Sequence, residues 1–269
     1  MNYMFWDRKA LNHQILSLKS CLCVGLDSDP LKLPSQVSSV LQFNMAIVEA
    51  TLPYAVAYKI NSAFYEVQGA AGWDSLIQTI AFIQSKQKFV ILDAKRGDIG
   101  NTASLYARTC FETLNADAVT VAPYMGKDSV TPFLDYARRW TILLALTSNS
   151  GAADFQLQQL HSGEYVFEKV LKEAIKWGHQ DQLMFVAGAT KVSFLQRIRS
   201  IVPDYFLLIP GIGAQGGDLS EVMKATLSDS GDILINASRS IIYASGGLDY
   251  ASAAAAEAHL LQKKMSAFL

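Results

Sequence analysis

Six residues at the end of an apolar run, DAKRGD from Asp93 to Asp98, place two carboxylates and two cations within one short segment. Asp93 and Lys95 are two positions apart, so in an extended chain their side chains leave the same face. A second apolar run, AVAYKIN (55 to 61), carries Lys59 near its end and would bring that ammonium beside them. Two ammonium groups about 4 Å apart repel by roughly 4 kcal/mol at an effective dielectric of 20, and an interposed carboxylate turns the repulsion into attraction. An alternating Lys, Asp, Lys, Asp array is therefore self-stabilising. It keeps a lysine protonated next to a reacting carbon, ready to act as a general acid, although burial alone favours the neutral amine. A Schiff-base lysine needs that neutral amine, so the flanking acids argue against covalent catalysis and for proton donation.

The second half of the chain offers an anion site. GIGAQGG (211 to 217) and NASRS (236 to 240) each follow an apolar run. Glycines let backbone N–H groups approach phosphate oxygens, the next helix presents its N-terminus, and Arg239 supplies a bidentate cation. Gly211, Gly213 and Gly216 also spell GxGxxG. In a dinucleotide fold, however, that pattern belongs to the first strand with an acid ending the next one, and here Asp232 precedes its strand.

Positioning these groups requires the rest of the chain. The apolar runs are CLCVGLD (21 to 27), AVAYKIN (55 to 61), FVILDAK (89 to 95), AVTVAPY (118 to 124), TILLALTS (141 to 148), LMFVAGAT (183 to 190), YFLLIPGIG (205 to 213) and DILINAS (232 to 238). Their nearly continuous apolar character is that of parallel strands buried on both faces. Between them lie helical patterns at 35 to 52, 72 to 86, 102 to 114, 128 to 139, 164 to 177, 191 to 201, 218 to 227 and 249 to 265. Eight strands alternating with eight helices predict an α/β fold, a single-domain (β/α)8 TIM barrel over 1 to 269. An extra N-terminal helix from about 7 to 18 would cover its bottom. Asp218 and Asp249 are the expected N-caps of the last two barrel helices. In such a barrel the active site lies at the C-terminal strand ends. The polar residues found there are Asp27, Lys59, Asn61, Asp93, Lys95, Asp98, Thr147, Ser148, Gln215 and Arg239.

Composition narrows the function classes. Half of the 269 residues are hydrophobic (51%) and only 17% are charged, so a large core is available. With a net charge of -1 and no Lys/Arg block, an extended nucleic-acid contact has no basic face to rest on. The opening MNYMFWDRKALNHQ lacks a signal-peptide core, and no window reaches the length of a membrane span, which points to a cytoplasmic enzyme. Cys21, Cys23 and Cys110 sit in apolar surroundings and read as core. His13, His161, His179 and His259 are scattered, so no metal site is expected.

DAKRGDIGNT, from Asp93 to Thr102, resembles the D-x-K-x-x-D-[I/V]-x-x-T signature of the orotidine 5'-monophosphate decarboxylase family. PGIGAQGGD, the SNSG after strand five and the chain length are similar to the longer subgroup of that family. The resemblance implies a metal-free, cofactor-free decarboxylation of a small-molecule nucleotide, with Lys59, Asp93, Lys95 and Asp98 as the charged tetrad and Lys95 protonating C6. It further implies a homodimer in which Asp98 and Thr102 reach the partner's site. Asp27 and Asn61 would meet the ribose, and Thr147 or Ser148 the pyrimidine edge. Gln215 would bridge base and phosphate, Arg239 would hold the phosphate and Gly216 would also meet the substrate, with the 215 to 217 loop as a lid. The shorter subgroup's phosphate-loop tyrosine has no equivalent in GAQGGD. Metal-dependent keto-sugar phosphate decarboxylases and hexulose phosphate synthases share the strand-three motif but place a Glu where this chain has Lys59. A non-catalytic nucleotide sensor on the same barrel is expected to lose the tetrad, and all four charges are present.

Overall fold

The computed structural model describes residues 5–188, 191–211, 218–228 and 230–269. Eight parallel strands close into a barrel in sequence order: β1 Leu22–Gly25, β2 Ala57–Asn61, β3 Phe89–Arg96, β4 Ala118–Val121, β5 Trp140–Leu146, β6 Leu183–Ala187, β7 Phe206–Pro210 and β8 Ile233–Ala237. β1 closes on β8 with Cys23 opposite Asn236. Nearly every strand residue is buried, because the side chains that face outward meet a ring of helices and those that face inward fill the barrel. Cys21, Cys23 and Cys110 are all buried as free thiols, and burial pushes each up to about 12.

The surrounding helices are Val40–Thr51, Ala70–Ser85, Gly100–Arg108, Lys127–Leu134, Val166–Ala174, Val192–Ile201, Leu219–Thr226 and Tyr250–Met265. Several are shorter than their apolar periodicity predicts. The pattern from 35 becomes helical only at Val40, where the Ser39 hydroxyl accepts from Gln42 N and caps it. The 128 to 139 pattern ends at Leu134, and 102 to 114 passes at Thr109–Thr113 into a π-helical turn. Asp218 does cap its helix, accepting from Ser220 N at 2.8 Å. Asp249 stands at the expected position but makes no capping bond, since its carboxylate accepts from the Ser245 hydroxyl instead.

The extra helix Arg8–Leu18 lies at the N-terminal ends of the strands, as its sequence position suggests. The Trp140 indole, at the start of β5, donates to the Trp6 carbonyl, and Trp6 packs edge-on against Phe89 at the start of β3. Arg8 donates twice to Asp232, just ahead of β8, and Asn12 donates to the same carboxylate. This end is closed by packing and a fixed ion pair, which leaves the opposite rim for chemistry.

Candidate active site

At the C-terminal rim the expected charges meet. Lys59, near the end of β2, donates to Asp93 Oδ2 at 3.0 Å, and Lys95 donates to Asp93 Oδ1 at 2.6 Å. On its other side Lys59 pairs with Asp27 Oδ1 at 3.5 Å. Asp27 is held in turn because Tyr243 donates its hydroxyl to the Asp27 carbonyl and accepts from Asp29 N. Within one chain, then, the alternating array runs Asp27, Lys59, Asp93, Lys95. Asp98 is not in it: its carboxylate accepts from Ile99 N. Thr102 is exposed on the helix Gly100–Arg108.

The array is charged throughout its buried part. Burial pushes the Asp93 carboxyl up, but the Lys59 and Lys95 ammoniums outweigh that and hold it down at about 2. Burial likewise opposes protonation of Lys59, and Asp93 and Asp27 together more than reverse the effect, leaving its pKa raised. The Lys95 side chain is 49% exposed against 9% for Asp93, so the array opens to the rim at Lys95.

The path of β3 explains how Lys95 turns back. From Leu92 to Arg96 the strand advances four residues while its partner β4 advances two, from Val119 to Val121. This bulge puts Lys95 at φ 45, in the left-handed region that costs a non-glycine residue about 1–2 kcal/mol. Simple alternation along a regular strand, the sequence-based expectation, therefore does not describe it. The conformation is held by Thr120 on β4, whose hydroxyl accepts from Lys95 N and donates to Asp93 Oδ1. Thr120 was not singled out in the sequence, where it is one polar residue inside an apolar run. Arg96 leaves the centre to pair with Glu66 at 2.7 Å and to lie over the Tyr106 ring.

Two adjoining cavities, about 200 and 360 Å³, share Lys59, Asp93 and Pro210. The smaller runs from Asp27 and Asn61 to Arg239, which is exposed at the start of the short helix Arg239–Ile242. No side-chain partner meets the Arg239 guanidinium among the described residues. The larger cavity includes Lys95, Thr120, Thr147 and Ser148. Thr147 is committed locally: its hydroxyl donates to Asn149 Oδ1 and accepts from Gln156 Nε2, and its N–H donates to Gln156 Oε1. The Ser148 hydroxyl has no such tie among the described residues. Gln215 and Gly216, expected to meet the substrate, lie outside the described residues. Asn236 and Ser238, also absent from the sequence-based set, line the smaller cavity. Among the described residues, no group of three or more His, Cys, Asp or Glu side chains is arranged to hold a metal ion.

Comparison with known proteins places this geometry in context. Residues 20–255 match the family described as "Orotidine 5'-phosphate decarboxylase / HUMPS family". The chain is 49% identical over 265 residues to the orotidine 5'-phosphate decarboxylase of Phocaeicola vulgatus, covering 96% of this chain and 97% of that protein. With the Flavobacterium johnsoniae orotidine 5'-phosphate decarboxylase it shares 51% identity over 262 residues, 95% of this chain and 96% of the other. The solved structure of Leishmania donovani OMP decarboxylase superposes with a TM-score of 0.80 at 34% identity, over 96% of this chain and 99% of that one.

Proposed function

The chain belongs to the orotidine 5'-phosphate decarboxylase / HUMPS family, and from that premise we propose that Lys59, Asp93 and Lys95 carry out its reaction with Lys95 as the proton donor. The reaction is the decarboxylation of orotidine 5'-monophosphate to UMP and carbon dioxide, a carboxy-lyase step of pyrimidine nucleotide synthesis. The bond from C6 to the carboxylate breaks with its electron pair left on C6. The Lys95 ammonium then delivers a proton to that carbon and is reprotonated from water. Fixed charge around the developing carbanion lowers the barrier because it needs no rearrangement during the reaction. The observation that carries this reading is the 2.6 Å contact between Lys95 and Asp93, with Lys59 on the other carboxylate oxygen.

The other roles follow the cavities. Asp27 and Asn61 border the space between the array and Arg239, where a ribose would lie. Arg239 takes the 5'-phosphate, and Gln215 bridges base and phosphate, with Gly216 beside it in the sequence. Ser148 reads the pyrimidine edge, supported by the local commitment of the Thr147 hydroxyl. Binding the distant phosphate supplies energy that orients the reacting ring.

Asp98 and Thr102 complete the site of a partner subunit in a homodimer. Their position outside the array of their own chain supports this, as do the exposed apolar residues Ile99 and Leu105 on the same segment. The protein works in the cytoplasm. None of the described helices is long and apolar enough to cross a membrane.

Lys59 at the end of β2 separates this reading from the metal-dependent branch, which needs an acid there to bind its cation. The deciding experiment follows the absorbance of orotidine monophosphate after exhaustive chelation. Turnover is expected to persist. Activity that is lost on chelation and restored by Mg2+ would favour the metal-dependent chemistry instead.

A further inference from the structure

We propose that Asn236, on the inner face of β8, is a substrate-binding residue whose amide oxygen accepts a hydrogen bond from a ribose hydroxyl of the bound nucleotide. The inference rests on the nucleotide reading of the site. Asn236 is 6% exposed, and it stands opposite Pro210 of β7 and Cys23 of β1. Its Nδ2 donates to Ser238 Oγ at 3.2 Å, while its Oδ1 is buried with no partner among the described residues. A buried acceptor without a donor is destabilising, and this one sits in the wall of the cavity that joins Lys59 to Arg239.

The backbone beside it is shaped to keep this pair in place. A Cβ on Gly25 would lie 1.8 Å from Ser238 Oγ and 3.1 Å from Asn236 Oδ1, so only glycine leaves room for both side chains. Chemistry selects the ligand group. An amide oxygen needs a donor, and the phosphate dianion, the ring ether and the base carbonyls are all acceptors. The pyrimidine N–H belongs at the far side, beside Ser148. Between the array and Arg239 the nucleotide's available donors are its sugar hydroxyls.

A double-mutant cycle with the ligand as one partner tests the contact. Dissociation constants are measured for UMP, 2'-deoxy-UMP, 3'-deoxy-UMP and uridine with wild type and Asn236→Ala. Asn236→Leu, closer in volume, is used in parallel so that a misfolded alanine variant does not stop the test. UMP binding is expected to weaken about tenfold in the variant, the loss of one hydrogen bond whose partner stays buried. The penalty for removing one of the two hydroxyls is expected to shrink by at least about threefold in the variant, as for groups in contact. Independent penalties for both deoxy ligands, or coupling to the phosphate when uridine is compared with UMP, overturn the proposal. A wild-type protein that binds UMP but not orotidine monophosphate would fail the functional reading while leaving the ribose contact standing.

Discussion

Thr120 donates its hydroxyl proton to Asp93 Oδ1 at 2.9 Å, and its own hydroxyl oxygen accepts from Lys95 N at 2.9 Å. One side chain thus fixes the acceptor carboxylate and the strained backbone of the proposed proton donor together. Its neighbours on β4, Val119 and Val121, are buried apolar residues, so Thr120 is a polar pin set into a packed strand.

Replacing Thr120 by Val keeps the shape and removes the pin. Asp93 loses one donor, and Lys95 is left in an unfavourable conformation with its N–H unpaired. Displacing a reacting group by a fraction of an ångström to an ångström costs up to about a hundredfold in rate. The expected result for Thr120→Val is a fall in kcat of about ten- to a hundredfold with KM within about threefold of wild type. Thr120→Ser retains the hydroxyl and should recover most of the rate. Near-normal turnover in Thr120→Val, with any loss confined to Thr120→Ser, would mean that only packing is at stake.

Lys95 and Arg239 should separate kinetically. Lys95→Ala removes the proton donor but leaves Arg239 and the sugar contacts, so turnover should fall by at least about 10²–10⁴-fold while UMP still binds. Arg239→Ala removes a charge-assisted contact to a group that does not react. Its KM should rise about ten- to a hundredfold with a smaller change in kcat. Near-normal turnover in Lys95→Ala would be fatal to the proposed mechanism.

The features read most directly from the sequence were those with long repeats. Each of the eight apolar runs became a strand, because burial on both faces leaves little choice of residue type, and each barrel helix overlaps its pattern, although those starting at Ala70, Gly100 and Lys127 begin one or two residues ahead of it. What escaped was short or single. The helices Ala63–Glu66 and Arg239–Ile242 span four residues each, too few to show a period. The bulge in β3 depends on pairing with β4, which no local pattern records. Thr120 and Asn236 are polar residues flanked on both sides by apolar ones within AVTVAPY and DILINAS, where such a residue usually satisfies a core hydrogen bond. The signal that would have found Asn236 is its spacing, two positions before Ser238 on the inward face of a strand. Asp98 was legible as part of a motif but not as a neighbour of Lys59, and within one chain it is not one.

Asp98 gives a direct test of a shared site. In a mixture of Lys95→Ala and Asp98→Ala subunits, each hybrid dimer would contain one site with both an intact Lys95 and an intact Asp98 from across the interface. Random exchange makes half of the dimers hybrid, and one of the two sites in each is complete, so about a quarter of wild-type activity should return. No recovery despite demonstrated subunit exchange would place Asp98 in its own subunit's chemistry or outside the chemistry altogether.

The depressed pKa of Asp93 predicts how acid acts on stability. The group's ordinary value is 3.8 and its folded value is about 2, so the folded state holds the proton less tightly than the unfolded chain. The stabilisation is therefore fully present above about pH 4 and is lost as the pH falls through about 2. Over that window it amounts to about 2 kcal/mol, at 1.36 kcal/mol per pH unit. Asp93→Asn removes the titration and should make the dependence of unfolding free energy on pH shallower by up to one proton between pH 4 and pH 2. The variant should also be less stable at neutral pH, because Lys59 then keeps only Asp27, 3.5 Å away, as its ionic partner. Urea unfolding at several pH values reads both effects. An unchanged slope with lower stability throughout would show that Asp93 contributes by packing and hydrogen bonding, without a displaced titration.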